Sequence, residues 1–145
     1  MRAIILLALT LAVAGCAGAK PVNVVTGEAC WRCRQPINDK RLAGEILSSN
    51  GLASKFRTVH CLSTWIAQQK TAPEGTFYVT DYGTGKWVRA GRATYVHTVV
   101  NENTMARDFV AFLDQDKAED KARADNSTIA TWDEVLARGR SSPLP

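Results

Sequence analysis

The 145-residue chain is poor in the residues that usually announce chemistry: four cysteines, two methionines and two histidines. Its one long apolar run, Ala3 to Ala14, is shorter than the roughly 20 residues a helix needs to cross a bilayer, and no other segment could span. Charge of one sign is scarce too. The net charge is +4, and acidic and basic residues mix in stretches such as DQDKAEDKARAD. That excludes a nucleic-acid stripe and reads as solvated surface. There is no Gly-rich phosphate loop and no low-complexity segment. No serine or cysteine nucleophile has a credible base, so the chain does not read as an enzyme.

What is present starts with MRAIILLALTLAVAGCAGAK. One basic residue, a short apolar run and small residues have the form of a secretory signal peptide. Val13-Ala14-Gly15-Cys16 resembles the lipobox of bacterial lipoproteins, where the cysteine is diacylated and becomes the first mature residue. The bland alternative is an ordinary secreted protein with an incidental cysteine. On the lipoprotein reading, residues 1–15 are the signal, 16–26 the lipidated Cys16 and its tether, 27–140 one metal-binding domain, and 141–145 a tail. Acyl chains, at about 0.8 kcal/mol per buried methylene, would hold it at a membrane, facing the periplasm. By resemblance to Gram-negative sorting, Ala17 in place of aspartate favours the outer membrane.

With Cys16 spent on lipid, Cys30, Cys33 and Cys61 remain. In an oxidising compartment thiols tend to pair, and three cannot all pair internally. At least one is then free, metal-bound or joined to another molecule.

Along the chain, Val22, Val24 and Val25 suggest a first strand. GEILS and SKFRTV read as strands around the turn Ser49-Asn50-Gly51. HCLSTWIAQQK reads as a helix, with Cys61, Leu62, Trp65 and Ile66 on one apolar face, stopped by Pro73 and Gly75. FYVTDYGTGKWVRA is a hairpin turning at Gly83 and Gly85. ATYVHTVV and RDFVAFL are strands flanking the loop NENTM, and DKAEDKARAD is a helix. Thr131 and Glu134 form a capping box that opens a last short helix. Two halves emerge, each with strands, a helix and a following strand. The fold class is α+β, with two ββαβ-type units.

Cys30 and Cys33 form a C-x-x-C pair. Arg34 stands where covalent haem attachment needs histidine. A redox pair at a helix N-terminus would place Pro36 inside that helix, at a cost of about 3 kcal/mol. A soft-metal knuckle fits better, with Cys61 returning to it at a helix start in a treble-clef plan. His60 adds an imidazole, enough for tetrahedral zinc, although ligands of that pair usually lie a helical turn apart. Cys61 is equally readable as a small buried residue of the helix face. Copper(I) prefers thiolate and thioether, and Met105 in NENTMARD sits among polar neighbours, where a packing role explains it poorly. His97 reads as a strand-surface residue, Asp81 as a turn residue, and the four tryptophans as packing.

Taken together, the lipobox, the cysteine knuckle, FRTVHCLSTWIA, FYVTDYGTGKWVRAGRATYV, TMARDFVAF and IATWDEVL resemble the NosL family, copper-binding lipoproteins that accompany nitrous-oxide reductase. The resemblance covers most of the mature chain. It implies two ββαβ units related to a treble clef, similar to part of the organomercurial lyase. It implies copper(I) binding and delivery to a periplasmic copper enzyme or its assembly factors, without catalysis. Cys33 and Met105 match the family's ligands. Gln35 stands where the family usually keeps a second methionine, Arg57-Thr58 replaces an aspartate pair, and Thr104 replaces a proline. Cys30 or His60 is then available as the missing ligand. The rival readings are a lipoprotein with a structural zinc site of Cys30, Cys33, Cys61 and His60, acting through protein contacts, and a thiol-disulfide exchange protein.

Overall fold

The structure, a computed structural model, describes residues 20–141; the leader, Cys16 and the last four residues lie outside them. The first unit runs from a 3-10 turn at Lys40–Leu42 through β1 (Gly44–Leu47), β2 (Ala53–Phe56) and α1 (Val59–Ala67) to β3 (Thr76–Thr80); the turn 81–86 and β4 (Trp87–Arg89), which pairs with the edge of that first sheet, open the second unit. The second repeats the order: a 3-10 turn at Ala90–Arg92, β5 (Thr94–Asn101), β6 (Ala106–Phe112), α2 (Gln115–Ala124) and β7 (Ile129–Ala130), then α3 (Trp132–Arg140). The sheets have strand orders β2-β1-β3-β4 and β6-β5-β7, and every pairing is antiparallel. In both, the first strand after the 3-10 turn lies between the second and the third. The two ββαβ units expected from the sequence are therefore present.

Local chemistry explains the boundaries. Gly51, at φ +83°, supplies the left-handed residue of the β1–β2 turn. Thr58 caps α1 by accepting the Cys61 N–H. Thr131 and Glu134 form the expected capping box of α3. In α2 only Ala118 and Ala122, four residues apart, are buried. They pack with Val96, Val110, Phe112 and Leu42, while the charged remainder of that helix faces water.

The main core joins Ile37, Phe56, Val59, Leu62, Val79, Tyr95, Phe109 and Val135. Helix α1 sits tightly in it. A Cβ on Gly44 would lie 2.7 Å from Leu62 Cδ2, and one on Gly139 of α3 would lie 2.8 Å from the Ser63 carbonyl oxygen.

Two expectations change. Residues 22–25 form no strand: the Val22 N–H is held by both Glu45 carboxylate oxygens at 3.0 Å and the Val25 N–H by Glu28 at 3.0 Å. Side-chain acceptors thus take the donors that a neighbouring strand would need. The helix expected through Lys70 closes at Ala67, with Gln68 as its cap.

Candidate metal centre

The knuckle is built by backbone hydrogen bonds. Gly27 and Ile37 N–H donate to the carbonyls of Ile37 and Glu28, each at 2.9 Å, and Cys30 N–H to Gln35 at 2.9 Å. Arg34 N–H closes the turn on the Cys30 carbonyl at 3.0 Å. Arg34 takes φ +60° to do so, a conformation most side chains avoid. Trp31 N–H then docks the turn onto β2 at the Lys55 carbonyl, 2.7 Å away. The result buries Cys30 and leaves Cys33 partly exposed.

Cys61 arrives from the first turn of α1, its N–H donating to Thr58 Oγ1 at 3.2 Å. The three Sγ atoms lie within 4.8 Å of one another, and Cys33 and Cys61 are 3.7 Å apart. A metal bound to sulfur at about 2.3 Å sets its ligand sulfurs about 4 Å apart, so the spacing fits one soft ion among the three.

The charge is arranged to match. The hydrogen bond from Cys61, aided by the N–H groups of Cys33 and Arg57, draws the Cys30 thiol well below its ordinary value against the opposing effect of burial. The same Cys61–Cys30 bond, with burial, pushes Cys61 up. The arrangement thereby favours the thiolate at Cys30, the form that binds metal.

The other sequence candidates fall elsewhere. The His60 ring reaches Thr64 Oγ1 at 3.4 Å, and the backbone N–H of His60 donates to Asp108; the ring is not gathered with the sulfurs. Met105 lies in the β5–β6 turn at φ +53° and is 65% exposed. Its neighbours Thr104 and Ala106 line a cleft of about 410 Å³ together with Pro36, Arg57 and Thr58. This cleft joins the return of the knuckle and the entrance of α1 to the loop that carries Met105. Gln35 is exposed, and its carbonyl serves the turn. The His97 ring is half-buried, 5.0 Å from Phe109. Asp81 is a turn residue as expected, accepting from Thr84 and Leu113. Cys16 lies outside the described residues.

Two supporting residues escaped the sequence reading. Thr58, three positions before Cys61, carries a readable capping signal. Asp108, which holds the same helix start from the second unit, carries none, because nothing local ties β6 to α1.

A family model described as NosL matches residues 21–138. No curated protein matches the chain. Among solved structures, the crystal structure of the copper chaperone NosL from Shewanella denitrificans matches with a TM-score of 0.68 at 15% identity, covering 81% of this chain and 96% of that one. At such identity the likeness establishes the fold, with its two α+β units. The family model reaches over the knuckle, both sheets and nearly all of α3, and the chain belongs to the NosL family.

Proposed function

We propose that the protein is a lipid-anchored copper(I) carrier of the bacterial cell envelope, tethered through Cys16 and handing its ion to a periplasmic copper enzyme or that enzyme's assembly factors. The observation that carries this is the set of three sulfurs within 4.8 Å, one of them reaching solvent. The solved relative, named a copper chaperone, supports it. Sulfur ligands select copper(I) among soft ions. Copper is the cargo, and it moves by ligand exchange: a partner's ligand meets the ion at the partly exposed Cys33, and the buried sulfurs let go last. Met105, on the rim of the adjoining cleft, offers a thioether to the incoming or leaving ion. A closed zinc site needs a fourth ligand. Among the described residues no histidine or carboxylate is gathered with the sulfurs, which favours copper over structural zinc.

The test is metal analysis of the reduced protein, followed by copper(I) titration against a chromogenic chelator. One copper per chain is expected, weakened by Cys33→Ser and Met105→Ala. Tightly retained zinc whose removal unfolds the protein, or copper binding indifferent to both substitutions, would sink the proposal. Disulfide reduction by the metal-free protein would instead favour thiol exchange.

A further inference from the structure

The seat of Cys30 is built twice. In the first unit Cys30 N–H donates to the Gln35 carbonyl at 2.9 Å, and Arg34 N–H to the Cys30 carbonyl at 3.0 Å. In the second, Asp81 N–H donates to Lys86 and Gly85 N–H to Asp81, both at 2.8 Å. Arg34 and Gly85 are both left-handed, at φ +60° and +70°. Trp31 N–H docks on β2 at Lys55, and Tyr82 N–H docks on β6 at Ala111, each at 2.7 Å. The bridge Ala29–Pro36 matches the β3–β4 pair Thr80–Trp87.

The side chains at the centre of the two turns receive equivalent donors. Asp81 accepts N–H groups from Thr84, three residues on, and from Leu113, the residue before the α2 cap Asp114, each at 2.7 Å. Besides the Cys61 thiol, the backbone N–H groups of Cys33, three residues on, and of Arg57, the residue before the α1 cap Thr58, act on the Cys30 sulfur as donors that draw its thiol down. In the second unit Thr84 stands where the first has Cys33, and Lys117 where it has Cys61. Hydrogen bonds therefore tie that turn to the entrance of its helix where the first unit has its sulfurs.

We infer that Cys30 is a positioning residue. Its sulfur fills the acceptor seat that the Asp81 carboxylate fills in the second unit, tying the knuckle to the entrance of α1 in the metal-free protein. Cys33 and Cys61 are thereby brought face to face before any ion arrives. The inference rests on the sulfur cluster being the cargo site. It divides the labour within that cluster: Cys30 stays seated on its two N–H donors while exchange runs through Cys33. Pre-organisation of this kind lowers the ordering cost that binding would otherwise carry.

The test uses the reduced, metal-free protein and reads amide hydrogen exchange at Cys33 and Arg57 by NMR. Both amides should be protected in the wild type before metal is added. They should exchange at least tenfold faster in Cys30→Ala and return to within about threefold of wild type in Cys30→Asp, which restores the acceptor by copying the second unit. A general packing role would not be rescued by a carboxylate. Wild-type amides that become protected only on adding copper(I) would overturn the inference even if the alanine variant fails to fold, and so would a Cys30→Asp variant that exchanges as fast as Cys30→Ala. Failure of the copper reading shows separately, as a wild type that takes up no copper(I), and leaves the metal-free amides untouched.

Discussion

The carboxylate of Asp108, on β6 of the second unit, accepts the backbone N–H of His60 at 3.0 Å, in the first turn of the helix that brings Cys61 to the cluster. The unit without cysteines thus positions the unit that has them. Asp108 is almost fully buried, and the helix donor it serves has no intrahelical partner. Asp108→Ala should cost about 1–3 kcal/mol, because a buried donor loses its acceptor. Asp108→Asn, which keeps an oxygen, should cost less. Urea denaturation of the metal-free protein measures both, and copper(I) affinity should fall in the same order as the helix start loosens.

Asp81 gives the fold an acid limit. Burial alone would raise its carboxyl; the N–H of Leu113, the hydroxyl and N–H of Thr84, and the N–H of Gly83 outweigh burial and hold it below its ordinary value of 3.8. A carboxyl depressed by folding contributes stability that is complete above the ordinary value and is lost as pH falls through the folded one. Asp81→Asn should therefore be less stable than wild type near neutral pH, by about 1–3 kcal/mol. The gap should close as the solution is taken below the ordinary carboxyl range. Urea midpoints of the two proteins across that range decide it; a gap that does not change with pH would contradict the assignment.

Much of the fold was legible because its signals are local. Alternation in FYVT and TYVHTVV, glycines at Gly51 and Gly85, and the Thr131–Glu134 box all act within a few residues of where they stand. The knuckle was legible in the same way, as was the return of Cys61. What could not be read depends on the assembled chain. Val22 and Val25 resemble a strand, but Glu45 and Glu28 claim their N–H groups. The equivalence of Cys30 and Asp81 lies in backbone donors separated from them by up to 32 residues. A thiol and a carboxylate do not align as letters. They match only as acceptors in the same backbone cradle.

Gly139 tests how closely α3 must approach α1. A Cβ there would lie 2.8 Å from the Ser63 carbonyl oxygen and 3.0 Å from Thr64 N, both backbone atoms that cannot step aside. In an unconstrained helix Gly→Ala gains about 1 kcal/mol. Here overpacking, at about 1–3 kcal/mol, should exceed that gain, and Gly139→Ala should melt below wild type. Because α1 carries Cys61, the same variant should bind copper(I) more weakly. A variant that melts above wild type would show that α3 can withdraw without cost.

Met105 combines two costs that a packing residue would not carry. Its side chain is 65% exposed, and its backbone is left-handed at φ +53°, which disfavours any residue with a Cβ by about 1–2 kcal/mol. Strain kept at an exposed position points to function at that position. Met105→Gly should remove the strain and raise stability by up to about 1 kcal/mol. Met105→Ala keeps the Cβ and should change stability by less than about 0.5 kcal/mol, as surface substitutions usually do. Both remove the thioether, so both should lower copper(I) affinity or slow transfer to a thiol acceptor by a similar factor, about tenfold, equivalent to 1.4 kcal/mol. Thermal melts set beside chelator competition separate the two effects. A glycine variant that is both more stable and fully competent for copper would mean that the thioether plays no part in handling the cargo.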